Sequence, residues 1–318
     1  RQVGGSCMKT LFRPSVLVAI LVLAVVPFTF ANGYIADVAI RLCLAGIAAV
    51  GLNLLMGFAG QISIGHAAFV AIGAYVSGIS ASRWGLPPLA ALVAGVVLVA
   101  VLAYIIAKPI LRLRGYTLAM ATLGLGIIVN MVLVNEVAWT GGPDGMVVGP
   151  LQIGDWVLSG PMAWYAVVAC VLLIAIIVSL NLFASPAGRA LRALNGSEVA
   201  AMVMGVDVSS FKVKIFVLSA VFASISGSLT AYYSGFITPE LSGFMPSIEL
   251  ATMVVVGGMA STFGVVLGAC LVIGLPQVLG GIEGFEMILF GLALMLTIIF
   301  LPKGIVPTLA QRFSKRGN

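Results

Sequence analysis

The sequence predicts an all-α membrane protein of about ten transmembrane or partly spanning helices, and three observations support this. Of its 318 residues, 61% are hydrophobic and only 8% charged, whereas soluble domains carry roughly 25% charged residues. The apolar residues fall into runs close to the roughly 20 residues that an α-helix needs to cross the hydrocarbon. The basic residues stand in short clusters between those runs, as topology signals do. The net charge of +6 is therefore read as membrane orientation, and nucleic acid is not an expected partner. Cys7, Cys43, Cys170 and Cys270 lack metal-ligand spacing and read as packed free thiols.

The runs are residues 15–31, 35–57, 62–81, 89–107, 115–134, 162–183, 213–236, 247–256, 263–279 and 287–301. The first follows Lys9 and Arg13 like a secretory signal, but no convincing small-x-small cleavage site ends it and further runs follow at once, so it reads as a retained helix. Met8-Lys9 resembles a natural start, with residues 1–7 an upstream extension. The third run carries Gln61, Ser63 and His66 near its start and is expected to be broken there or to line a cavity. The eighth is too short to span and reads as a half-helix, tolerated where protein rather than lipid surrounds it.

With the N-terminus inside and ten alternating segments, every basic residue of the sixteen except Arg41 and Arg83 falls on the cytoplasmic side. The expected topology is N-in, C-in. Residues 1–14 form a cytoplasmic N-terminal segment, 15–301 the transmembrane domain and 302–318 a basic cytoplasmic tail. Ala223-xxx-Gly227-xxx-Ala231 and Gly264-xxx-Gly268 are small-residue faces that let helix backbones approach closely.

The cytoplasmic stretch 185–212 has its own helical punctuation. Ser185-Pro186 reads as N-cap plus first-turn proline, leading a short basic helix over 187–194 that Asn195-Gly196 breaks. Ser197 caps a second helix, Glu198 sits at its positive end, and Gly205 terminates it. Val199, Met202 and Val203 stand at i, i+3 and i+4 and make one apolar face. Spacing alone leaves two readings open: a helix resting on its own bundle, or a docking helix for a cytoplasmic partner.

Residues 189–208, RALRALNGSEVAAMVMGVDV, resemble the cytoplasmic coupling motif of bacterial ABC importer permeases. The stretches GLNLLMGFAGQISIGHAAFVAIGAY (51–75), LRGYTLAMATLGLG (113–126), TGGPDG (140–145), MVVVGGMASTFG (253–264) and FLPKG (300–304) resemble LivM-like permeases of branched-chain amino-acid importers, in family order. The chain departs from that pattern at Asn195-Gly196-Ser197, where relatives more often carry charged residues. The resemblance implies a ten-helix permease with two inverted halves in a bacterial inner membrane. Its implied partners are a LivH-like second permease, two cytoplasmic ATPase subunits and a periplasmic substrate-binding protein. ATP and Mg would be bound by the partner subunits and no cofactor by this chain. It also implies coupling to the ATPase through Arg189, Arg192, Glu198, Val199, Ala201, Met202, Val203 and Gly205.

The residues themselves argue against an enzyme. No Gly-Lys dipeptide occurs, so there is no P-loop. A single histidine rules out multi-histidine metal sites, and Ser63 and His66 are too close in sequence, with no G-x-S-x-G elbow, for a serine protease. An ion-coupled secondary transporter is the rival class, but such carriers keep charges at mid-membrane and the central parts of nearly all runs here are uncharged. Arg41 and Glu249 lie near the outer ends of their segments, where they snorkel or face a vestibule. Asn53, Gln61, Ser63, His66, Thr117, Thr122 and Asn130 are the polar residues expected to line a translocation pathway or to hydrogen-bond between helices. The substrate class read from the resemblance is branched-chain amino acids, with urea or aromatic compounds as alternatives.

Overall fold

The computed structural model describes residues 33–113, 115–153, 156–279 and 304–308, with the isolated positions Leu23, Gly291, Met295 and Ile299. The expected helices over 15–31 and 287–301, the N-terminal segment and most of the basic tail lie outside the described residues.

Most apolar runs become helices close to their expected bounds. The first described helix, α1 (Gly33–Asn53), continues through a π-helical turn at Leu54–Phe58. Then come α2 (Ala67–Trp84), α3 (Pro88–Ile110), α4 (Tyr116–Asn135) and the single turn α5 (Val137–Thr140). The long α6 (Pro161–Ala184) leads into the short pair α7 (Pro186–Gly196) and α8 (Glu198–Val203), followed by α9 (Val208–Ser234). Last are α10 (Phe244–Gly257) and α11 (Thr262–Leu279). Five stretches are long and apolar enough to cross a membrane, among the described residues: Gly33–Phe58 and the helices α3, α4, α6 and α9. The chain is an all-α, multi-pass membrane protein in this sense. At 1.5 Å per residue, α10 spans about 21 Å, short of the ~30 Å hydrocarbon, as a half-helix must be.

The run over 62–81 is broken at its start, as its polar residues led one to expect: residues 59–66 are irregular and α2 begins only at Ala67. Two sequence expectations are corrected. The helix predicted to break at Asn195-Gly196 runs on through Gly196, and the chain turns at Ser197. The helix predicted from residue 213 starts at Val208, capped by Asp207 Oδ1 accepting from Ser210 N (3.1 Å), so Lys212 and Lys214 lie inside it. Four two-residue strands also join the helices: Met146–Val147 (β1), Gln152–Ile153 (β2), Trp156–Val157 (β3) and Phe236–Ile237 (β4). The β1–β4 pair, Met146 opposite Ile237, ties the α5–α6 connection to the end of α9.

The packing follows from side-chain size. Helix α9 is the hub, set against α1, α2 and α3. A Cβ added at Gly227 would sit 1.9 Å from the Val70 carbonyl oxygen of α2, so only glycine permits that approach. Helix α3 buries a thin seam of small residues, Ala91, Gly95, Val99, Ala103 and Ala107, one every fourth position. Its other face, with Val93, Val97, Val101 and Ile105, is exposed and apolar, which suits lipid.

Candidate translocation break and coupling surface

The break between α1 and α2 is held in place by its neighbours. Ile64 N donates to Thr122 Oγ1 (3.1 Å), and Thr122 donates in turn to Ala119 O (2.9 Å). At Gly65 a Cβ would stand 1.7 Å from the Thr122 carbonyl oxygen, so the chain passes directly against the α4 backbone. Ser219 of α9 donates to Gly51 O (2.6 Å), and His66 Nε2 lies 3.1 Å from Ser219 Oγ and 3.3 Å from Ser219 O. The single hydroxyl proton being spent on Gly51, Nε2 carries the hydrogen and donates. His66 is thus a buried clasp between the start of α2 and the middle of α9. Asn53 is a second clasp: its Oδ1 accepts from Ala260 N (3.0 Å), fixing the turn after α10, where Ala260 has φ of 63°.

Within that framework the break gathers polar atoms that find no hydrogen-bond partner among the described residues. Both side-chain atoms of Gln61, Ser63 Oγ, His66 Nδ1 and Asn53 Nδ2 are buried this way. A buried group left unpaired costs about 1–3 kcal/mol, so the break holds a concentration of polar atoms whose hydrogen bonding the described residues leave unmet. Gln61, Ser63 and Thr122 line a closed cleft with no room for a water-sized molecule. A cavity of about 230 Å³ is lined by Ile64 together with Asn130, Ser242 and Ser247, the last at the start of α10. Asn130 Nδ2 donates to Pro239 O (2.9 Å) and Ser242 Oγ (3.0 Å). Of the predicted pathway set, the structure groups Asn53, Gln61, Ser63, His66 and Thr122 at the break and places Asn130 beside it. Thr117 lies exposed on the first turn of α4.

The stretch 185–212 folds as its local chemistry dictates. Ser185 Oγ accepts from Gly188 N (3.2 Å) and Ser197 Oγ from Ala200 N (3.3 Å). Gly205 leaves α8 with φ of 80°. Val199, Met202 and Val203 are 61%, 48% and 84% exposed, an apolar face left uncovered among the described residues. Ala201, by contrast, is fully buried against Leu194 and Val208. It therefore secures α8 to its own chain and is withdrawn from the coupling contacts. Arg189 is exposed. Arg192 packs back on α6, its guanidinium 4.4 Å over the Phe183 ring.

Two side-chain links, neither expected from the sequence, join this surface to the membrane bundle. Glu198 pairs with Lys212, a lysine that is 5% exposed inside α9. Asn195 Nδ2 donates to Gly57 O (2.9 Å) in the π-helical turn. The signal available for the first was a lysine directly before the apolar run that begins at 213. For Asn195 there was none, because its partner lies 138 positions away. The exposed face of α8 is thus wired at one point to α9, which carries Ser219, and at another to the turn that precedes the break.

The family model for the branched-chain amino acid transport system permease component matches residues 34–301. The LivM permease protein of the high-affinity branched-chain amino acid transport system of Salmonella typhimurium is 33% identical over 96% of this chain and 76% of that protein. Its Escherichia coli K12 counterpart is 32% identical over the same shares. The LivH permease protein of Escherichia coli K12 is 26% identical over 81% of this chain and 89% of its own length. No solved structure matches the chain with significance. On the match across 34–301 and the LivM identities, the chain belongs to the family of branched-chain amino acid transport system permease components.

Proposed function

We propose that the chain is the LivM-like permease subunit of an ATP-driven importer, moving branched-chain amino acids across a bacterial inner membrane. The observation that carries the reading is the likeness to LivM permeases along nearly the whole chain. The exposed apolar face of α8 supports it as the place where an ATPase subunit docks. In this reading residues 15–301 form one permease domain of ten segments, N-in and C-in, arranged as an inverted repeat. The partners are a LivH-like permease, two ATPase subunits that bind ATP and Mg, and a periplasmic binding protein that supplies substrate affinity.

Translocation then follows alternating access. ATP binding closes the ATPase dimer and displaces α8. Glu198–Lys212 passes that displacement to α9, and Asn195 passes it to the π-helical turn. The clasps at Ser219–His66 and Asn53–Ala260 shift, and the polar groups of the break acquire water or solute as partners. Reconstitution tests the reading. Proteoliposomes holding this chain with its partner permease, the ATPases and the liganded binding protein should accumulate leucine only with ATP, and this chain alone should neither hydrolyse ATP nor concentrate leucine. Concentrative uptake by the chain alone, or uptake abolished by a proton uncoupler but indifferent to ATP, would overturn it.

A further inference from the structure

Arg41 and Glu249, set aside by the reading above, line one cavity of about 300 Å³. It is built from two matching helical stripes. On α1 the stripe is Arg41, Leu44, Ala45 and Ala48; on α10 it is Pro246, Glu249, Leu250 and Met253. Each follows i, i+3, i+4, i+7, the spacing of a single helix face, and each carries one charge among otherwise apolar side chains. Alanines at 45, 48 and 67 keep the apolar end roomy, and Val70 and Ile273 help to wall it. The hydroxyls on the α9 wall are turned to backbone: Ser226 donates to Leu44 O (2.7 Å) and Thr230 to Ser226 O (2.8 Å).

The cationic side is fixed in position. Asp37 accepts from Arg41 Nε (2.8 Å) and from Tyr233 Oη (2.6 Å). That bond engages one edge of the guanidinium and leaves its terminal amino groups outside it. A guanidinium matches a carboxylate in two-pronged fashion, a carboxylate takes an ammonium, and the alanine–leucine–methionine end suits a short aliphatic group. Ionisable residues on apolar helices face the bundle interior or a water-filled cavity rather than lipid. We infer that this cavity is a transient binding site for a zwitterionic α-amino acid with an aliphatic side chain, its carboxylate on Arg41 and its ammonium on Glu249. The inference rests on the importer reading and adds the site within the chain at which the solute is held.

The test uses the whole reconstituted transporter with its liganded binding protein. Glu249→Gln and Arg41→Lys should assemble and keep binding-protein-stimulated ATP hydrolysis, while leucine moved per ATP falls at least about tenfold, the worth of one lost charge-assisted bond. Unchanged leucine per ATP in both variants overturns the site but leaves the importer standing. A wild-type complex with no stimulated hydrolysis and no uptake would instead strike the importer reading itself. A second readout needs no loss of function. Ala45→Cys, in a chain whose native cysteines are serine, should react with a small maleimide in the assembled complex, and excess leucine should protect it. A thiol that leucine does not protect, or one that never reacts because the partner permease fills the cavity, overturns the proposal.

Discussion

Val203 and Ala201 stand two residues apart on α8 and should respond in opposite ways to the same substitution. Val203 is 84% exposed and Ala201 fully buried, so the folded chain gains almost nothing from the valine and depends on the alanine. Fully burying a valine side chain is worth about 1.5–3 kcal/mol, and nearly all of that remains for a partner to collect. Val203→Asp forfeits it and adds a desolvated charge, so association with the ATPase should weaken by roughly 2–4 kcal/mol, in the range of interface hot spots. That is about 30- to 1000-fold in affinity at 1.4 kcal/mol per tenfold. Ala201→Asp instead sets a carboxylate against Leu194 and Val208 and should loosen the segment itself. The assay measures, on one preparation, the thermal midpoint of the permease pair and the amount of ATPase that co-purifies. Val203→Asp should leave the midpoint unchanged and remove the ATPase; Ala201→Asp should make the 185–212 segment protease-sensitive. Wild-type co-purification and ATP turnover in Val203→Asp would refute docking through this face.

The Glu198–Lys212 link should be asymmetric: Lys212 is the more enclosed partner, at 7% against 27% side-chain exposure. Breaking a buried pair from one side costs up to about 3–5 kcal/mol, so Glu198→Gln should lower the thermal midpoint more than Lys212→Met; the reverse order would contradict the assigned burial. Gln61→Met removes two unpaired polar atoms and should raise the midpoint while lowering leucine uptake, since each orphan costs about 1–3 kcal/mol; faster uptake with lower stability would sink its placement on the pathway. Gly227→Val drives a side chain into the Val70 carbonyl and should abolish folded yield, measured by monodispersity in detergent. For topology, Asp144→Cys on a cysteine-free background should label in intact spheroplasts with an impermeant reagent and Arg192→Cys should not; the opposite pattern refutes N-in, C-in.

The sequence by itself determined the features whose causes are local. Apolar run length placed α3, α4 and α6 to within a few residues, because hydrogen bonding inside each helix and apolar side chains outside it satisfy the segment alone. The caps at Ser185 and Ser197 and the left-handed exit at Gly205 were legible because each involves atoms no more than a few positions apart. The close approach at Gly227 was legible as spacing, since only small residues admit a second backbone. Tertiary structure decided the rest. The break at 59–66 was legible from its polar residues, but the groups that hold it, Thr122 and Ser219, were not, the latter lying 153 positions from His66. Ala201 belongs to the interior because Leu194 and Val208 close over it, although its neighbours on α8 stay exposed. Arg41 and Glu249 share a cavity because α1 and α10 pack against each other. Helical periodicity reports which residues share a face; which faces meet is settled only when distant segments pack.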